Sequence, residues 1–298
     1  MDLYLKLYLH ILKNLKLIIF ASLLSGIFFT ISSYYFEEKY VSSSNLKVSE
    51  TTISSMQSLT SGYQSIGGLV GLNFPGSEIQ AKIDLVVETL KSRDFLKQLI
   101  LEHQEVAPNI YAIESYDLSS DNLKYQKDIF DKATGKWIIN EDKGIRSDGP
   151  QFYKIYNKFH GEIFNVYVNP SNNFISLRVE HYSPVYAQDL LTKIIDSLNS
   201  LLRDKDLNKA EQAIFFLQEQ VQIANQKEIK ESLYSIIERN LETLMLTNIN
   251  SYYAIEPVDL PNIPERKIFP NRKVFLLLGV FFGFFFSTAI SLIVRLNK

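Results

Sequence analysis

The residue types that carry covalent or metal chemistry are few in this chain and badly spaced for it. Its four histidines, His10, His103, His160 and His181, lie far apart, with no HExxH and no second ligand at helical spacing, so no metal centre is expected. Asp204-Lys205-Asp206 matches the DxD pattern with which many glycosyltransferases hold a metal-bound nucleotide sugar, but it falls in a polar helical stretch where a solvated charged face is the default. Gly135-Lys136 lacks the upstream glycine and the following Ser or Thr of a phosphate-cradling loop and reads as a turn. Gly67, Gly68 and Gly71 follow no strand and precede no lysine, so they read as a packing loop. There is no GxSxG elbow and no cysteine, which removes thiol nucleophiles, disulfides and thiolate metal sites. The sequence therefore predicts a protein that is not an enzyme and needs no cofactor.

The spacing that does carry meaning is of small residues within oily runs. Gly279 and Gly283 form GxxxG with Ser287 four residues on, and Ser22 and Gly26 repeat the interval near the other end of the chain. Small residues at that interval let two membrane helices approach closely, so these five are the expected packing sites between spans. Both groups sit in charge-free segments, residues 17–36 and 274–294, each long enough to cross about 30 Å of hydrocarbon as a helix. The first exceeds the apolar core of a signal peptide and lacks a small-x-small cleavage site, so it is expected to stay as an anchor.

Lys6, Lys13 and Lys16 precede the first span and Glu37, Glu38 and Lys39 follow it, which keeps the N-terminus in the cytoplasm. Arg266, Lys267, Arg272 and Lys273 before the second span pull the other way. The segment between the spans, however, far exceeds the loops of about 60 residues for which the charge rule holds. Residues 1–16 and 295–298 are then cytoplasmic and too short for a folded domain, and everything between the spans lies outside. Over 298 residues the chain is 46% hydrophobic and 21% charged, with mean hydropathy −0.03 and net charge −2, which gives no pull toward nucleic acid.

The elements between the spans read from their periods. Leu46 and Val48 alternate in SSSNLKVSE as in a strand, and Ser77 with Gln80 has capping-box spacing for a helix whose stripe is Ile79, Ile83, Val86, Val87 and Leu90. Residues 107–149 are weakly periodic and are expected to form short helices and loops. EIFNVYVN and FISLRVEH are two strands of a hairpin, with Ile175, Leu177 and Val179 inward. Between Pro184 and Pro257 lie 72 residues without Gly or Pro, hence mostly helix. One straight helix of that length would reach about 108 Å, and the connector at residues 257–273 spans at most about 60 Å. Either the preceding strands climb far from the bilayer, or the helix doubles back, with Asn225 and Gln226 the expected bend. Ile214, Leu217 and Val221 form an apolar stripe suited to coiled-coil self-association. Pro257, Pro261, Pro264 and Pro270 make the connector an extended, semi-rigid strut with few hydrogen bonds of its own.

The expected architecture is an α+β periplasmic domain with a long extended helical arm, flanked by two transmembrane helices. Its parts are a base at residues 37–183, an arm at 184–256, the connector at 257–273 and the spans at 17–36 and 274–294. This organisation resembles the Wzz-type chain-length determinants, the polysaccharide co-polymerases. The pieces that carry the resemblance are IPERKIFPNRKVFLLLGVFFGFF at residues 263–285, SPVYAQDLLTKIIDSLN after the last strand, SIGGLVGLN in the loop, and PGSEIQAKIDLVVETLKSRDFL. The resemblance implies a homo-oligomer in the bacterial inner membrane, both termini cytoplasmic, that sets how many repeat units an O-antigen polymerase adds to a lipid-linked polysaccharide. It implies no catalytic residues. The other readings are a polysaccharide export component without length control and an extracytoplasmic ligand-binding sensor or adaptor.

Overall fold

A computed structural model describes residues 12–49, 78–249 and 252–296. The chain forms two compact units, one from its two ends, up to Tyr40 and from Glu265, and one from Val41–Pro264. Gly67, Gly68, Gly71, His10 and the Ser77 cap lie outside the described residues.

In the first unit, α1 (Leu15–Ser32) and α8 (Arg272–Leu296) pack against each other. At about 1.5 Å per residue they span about 27 and 37 Å, and both are long and apolar enough to cross a membrane. Leu17, Phe20, Phe28, Leu277, Phe285 and Phe286 are each more than half exposed. A water-soluble domain would bury such side chains, whereas a bilayer solvates them. The strand β1 (Lys39–Val48) begins here, where Lys39 and Tyr40 pair with β11 (Lys267–Phe269).

The second unit is an α+β domain. Its sheet runs β10 (Ile255–Pro257), β1, β9 (Ile175–His181), β8 (Phe164–Val168). Alternation along β9 puts Ile175, Leu177 and Val179 at 0% exposure, and β1 buries Leu46 and Val48 along with Tyr40, Ser42 and Ser44. Against this sheet pack the first half of α6 (Pro184–Ile223), through Leu190, Leu191, Ile194 and Leu198, and the helices α2 (Glu78–Lys91) and α3 (Arg93–Glu102), through Ile83, Leu90, Phe95 and Leu99. Ser92 separates α2 from α3 and caps the latter, its hydroxyl accepting from Phe95 N at 3.1 Å. Ile79, expected in the buried stripe, is 39% exposed, because the stripe meets the core only from Ile83 onward.

Residues 107–149 differ from expectation. After α4 (Val106–Tyr111) come three small antiparallel pairs: β2 (Ile113–Asp117) with β3 (Asn122–Tyr125), β4 (Phe130–Asp131) with β5 (Lys136–Trp137), and β6 (Ile145–Arg146) with β7 (Gly149–Pro150). Segments of two to five residues are too short to show a period. What organises them is a satellite cluster of Ala112, Ile129 and Ile145 under Phe130 and Trp137. Gly149 has φ +112°, and a Cβ there would lie 2.9 Å from Trp137 Nε1. The hairpin β8–β9 follows α5 (Phe152–Lys158) and one wide helical turn at Phe159–Ile163.

Ser183 starts α6 by accepting from Tyr186 N, with Pro184 in the first turn. The helix runs 40 residues, about 60 Å. Ala224–Gln226 leave the helical path, and α7 (Lys227–Ile249) packs back along α6. Because α7 retraces about 35 Å, the chain returns to the sheet edge and enters β10 beside β1.

Candidate functional site

The features that bear on function are the paired terminal helices, the connector and the helical arm. In the first, Ser22 and Gly26 are buried on α1, as are Gly279 and Gly283 on α8. A Cβ on Gly279 would lie 2.8 Å from Gly26 Cα and 2.8 Å from Ser25 O, and one on Gly283 would lie 2.8 Å from Ser22 Cα. These are backbone contacts that no rotamer change relieves, so both positions require glycine at this separation. Near one end of the pair Asn14 Nδ2 donates to Ser291 Oγ at 3.3 Å, and near the other Phe36 packs on Phe275 with centroids 5.5 Å apart, so the helices are antiparallel. Ser287 differs from its neighbours in the series: it is half-buried and turns its hydroxyl back to Phe284 O at 3.2 Å.

Beyond the helix ends, Arg272 lies over the Tyr34 ring at 4.1 Å, and Lys267 pairs with Glu38. The hydrogen bond from Lys267 holds the Glu38 carboxyl below the usual carboxylate range, against a smaller opposing effect of burial. Pro270 is buried directly after β11.

The connector is not a free strut. Val258 N donates to Asn45 O at 2.8 Å, and the Ser42 and Ser44 hydroxyls donate to the carbonyls of Asn262 and Asp259. Gln188 on α6 donates to Pro261 O at 3.4 Å. Pro257 ends β10 opposite Leu46, and Pro264 is half-buried. The physical reason is a shortage of donors. Proline removes N–H groups from the connector but leaves its carbonyls, and the serines of β1 supply the missing hydrogen bonds.

The arm doubles back at the expected place, Asn225 and Gln226 lying in the break between α6 and α7. Where α7 packs back along α6, Val221 is buried, Ile214 and Leu217 are half-buried, and Ile237 and Asn240 of α7 are buried. The apolar side chains left outward include Phe215 and Phe216, at 66% and 58% exposure, with Ile223, Tyr234 and Met245.

At the root of the arm, Asn199 is a residue the motif reading missed. Its amide is 2% exposed, donates to Ile195 O and Ile255 O, and accepts from Ala254 N and Ile255 N. One side chain thus locks α6 to the start of β10. The only sequence signal is an amide inside the apolar run IIDSLNSLL. Lys193 ties the same helix to Glu105 and Asp189 at 2.6 and 2.5 Å. Burial works against its charge, but the two carboxylates outweigh it and raise its pKa.

The described candidates for covalent or metal chemistry are scattered through the fold. Asp206 accepts from Tyr253 Oη at 2.9 Å, and Gly135 holds the β4–β5 turn at φ +67°. His181 is buried; its Nδ1 accepts from Ser183 N, so its Nε2 donates to Asn109 O at 3.2 Å. His103 ends α3, and His160 lies among Tyr156, Phe159 and Phe164. Among the described residues no group of three or more His, Cys, Asp or Glu converges on one point.

The arrangement defines a chain with two membrane-length helices at its ends and, between them, an α+β domain bearing a helical hairpin. This chain is similar to solved polysaccharide co-polymerases. A full-length bacterial polysaccharide co-polymerase aligns over 97% of this chain and 96% of its own, at 14% identity and TM-score 0.38. A fragment of WzzB, a polysaccharide co-polymerase from Salmonella Typhimurium, aligns over 78% of this chain and 100% of its own, at 14% identity and TM-score 0.31. A point mutant of the Shigella flexneri lipopolysaccharide O-antigen chain-length regulator WzzBSF aligns over 77% and 100%, at 12% identity and TM-score 0.25. No family model and no curated protein matches the chain.

Proposed function

We propose that the protein is a non-enzymatic regulator of the chain length of lipopolysaccharide O-antigen or a related surface polysaccharide. In this reading it is an oligomer in the bacterial inner membrane, with both termini cytoplasmic and the α+β domain periplasmic, and it scaffolds the polymerase that extends a lipid-linked glycan. The observation that carries the reading is the ordered set of motifs through residues 263–285 leading into the glycine-seamed last span. That span is tied through the connector to the strand that leaves the first span. A regulator of this kind needs rigidity rather than catalysis. The connector strapped to β1, the Asn199 lock and the closed helical hairpin supply it.

The test is a gel ladder of surface lipopolysaccharide from a deletion strain with and without the restored gene. Loss of a preferred chain length that returns on complementation is the expected result. An unchanged ladder would overturn length control and leave polysaccharide export or ligand sensing as the reading.

A further inference from the structure

The root of the arm carries a half-open cavity of about 240 Å³ lined by Gln188, Thr192, Ile195, Asp196, Tyr252, Pro257, Leu260 and Pro261. Its two walls differ in chemistry. Gln188, Thr192 and Asp196 are spaced i, i+4, i+8 on α6 and place an amide, a hydroxyl and a carboxylate along one helix face. Facing them are the rings and branched side chain of Pro257, Pro261 and Leu260 from the connector, with Tyr252 beside them. The volume lies below the range of about 300–1,000 Å³ that suits drug-sized ligands, and leaves room for one sugar ring.

The polar wall is only partly occupied by the protein itself. Thr192 spends its hydrogen on Gln188 O and Gln188 spends an amide hydrogen on Pro261 O, which leaves the threonine lone pairs and the glutamine carbonyl to accept. Asp196 forms no hydrogen bond or ion pair with any described residue; its nearest charge influence is His103. Partial burial raises its pKa, the direction expected of a carboxylate that loses water without gaining a donor. Acceptors along one wall and apolar rings along the other fit a ligand with a hydroxylated edge and a C–H face. A metal cation would need more than this single carboxylate.

We propose that this cavity binds one neutral sugar residue of a glycan. In the bound state Asp196 and Thr192 accept from ring hydroxyls, and Tyr252, Pro257 and Leu260 pack against the C–H face. The choice of a saccharide rests on the function proposed above. The site has a mechanical consequence: one wall belongs to the arm and the other to the connector, so an occupant bridges α6 to the strap on β1 beside the Gln188–Pro261 contact.

Saturation-transfer NMR on the full chain in nanodiscs tests this with methyl glycosides of glucose, galactose, rhamnose, N-acetylglucosamine and glucuronic acid. At least one neutral glycoside should bind with Kd of about 1 mM, while the glucuronide, repelled by Asp196, should not. Asp196→Asn should weaken binding at least about tenfold, about 1.4 kcal/mol. Leu260→Trp, which fills the cavity from an exposed position, should abolish it with the thermal unfolding curve unchanged. No signal from any glycoside, binding of the glucuronide alone, or a signal in Asp196→Asn and Leu260→Trp equal to that of the unmutated chain overturns the site. The lipopolysaccharide ladder separates the two claims: a gene-dependent ladder without glycoside binding removes the site and keeps the function. Glycoside binding with a gene-independent ladder does the reverse.

Discussion

At the scale of single residues, the positions that matter most are those whose side chain, or lack of one, holds two distant segments together. Asn199 makes four hydrogen bonds from a site only 2% exposed, three of them to residues 254 and 255. Replacing it with leucine keeps the volume but leaves the Ala254 and Ile255 amides and the Ile255 carbonyl without partners, and unpaired buried groups cost about 1–3 kcal/mol each. Relaxation and water entry recover part of this, so Asn199→Leu should lower unfolding free energy by about 3 kcal/mol. Urea titration of the full chain in detergent measures it, and a midpoint within error of the unmutated chain would refute the lock. Asn199→Asp should be nearly as harmful, because it keeps the acceptor and loses the donor. The same reasoning applies to Ser42 and Ser44, which sequence reading assigned only to a strand and which in fact supply donors to the carbonyls of a proline-rich neighbour.

At the scale of elements, the arm is a hairpin in which α7 packs back along α6, with Leu217 half-buried and Val221 buried. Leu217→Asp places a carboxylate between α6 and α7 and should open the hairpin, whereas Phe216→Asp changes a side chain that is 58% exposed. Hydrogen exchange across residues 210–245 should therefore rise by at least about tenfold in the first variant, about 1.4 kcal/mol of lost local stability. The second variant should stay unchanged. Equal protection in both would mean that this packing is not what closes the hairpin. These elements were legible to different degrees, for physical reasons. Ile175, Leu177 and Val179 were readable because alternation is a local property of a strand with one buried face, and α6 and α7 because 72 residues contain no helix breaker. Strands β2 to β7 were not, since each is too short to carry a period and their stability comes from the cluster around Trp137. Nor was the pairing of β10 and β11 with β1, which joins segments about two hundred residues apart and leaves no periodic trace. The sugar cavity escaped for the same reason: its walls come from α6 and the connector, and neither segment alone has a binding motif.

At the scale of the whole molecule, both ends of the chain enter one antiparallel helix pair, and this fixes a consequence for topology. If α1 and α8 cross a bilayer as packed here, Asn14 and Ser291 lie at the same membrane face, within 3.3 Å of each other. The absence of native cysteine makes that testable, because engineered pairs have no competitors. With Asn14→Cys and Ser291→Cys in one chain, mild oxidation should yield an intramolecular disulfide. Each cysteine alone, in intact cells, should be shielded from a membrane-impermeant maleimide that labels a Ser171→Cys control in the exposed β8–β9 turn. Adding Gly279→Leu and Gly283→Leu should slow the cross-link at least about tenfold, since a Cβ at either position already meets backbone at 2.8 Å. Labelling of one engineered terminus but not the other would break the two-span reading. An unchanged cross-linking rate in the double leucine variant would instead keep the topology and remove the glycine seam as its cause. The charge pattern makes the outcome informative: Arg266, Lys267, Arg272 and Lys273 oppose the orientation that Lys6, Lys13 and Lys16 favour. A protein that still places both ends inside does so because helix pairing and the first span outweigh the cations at the second.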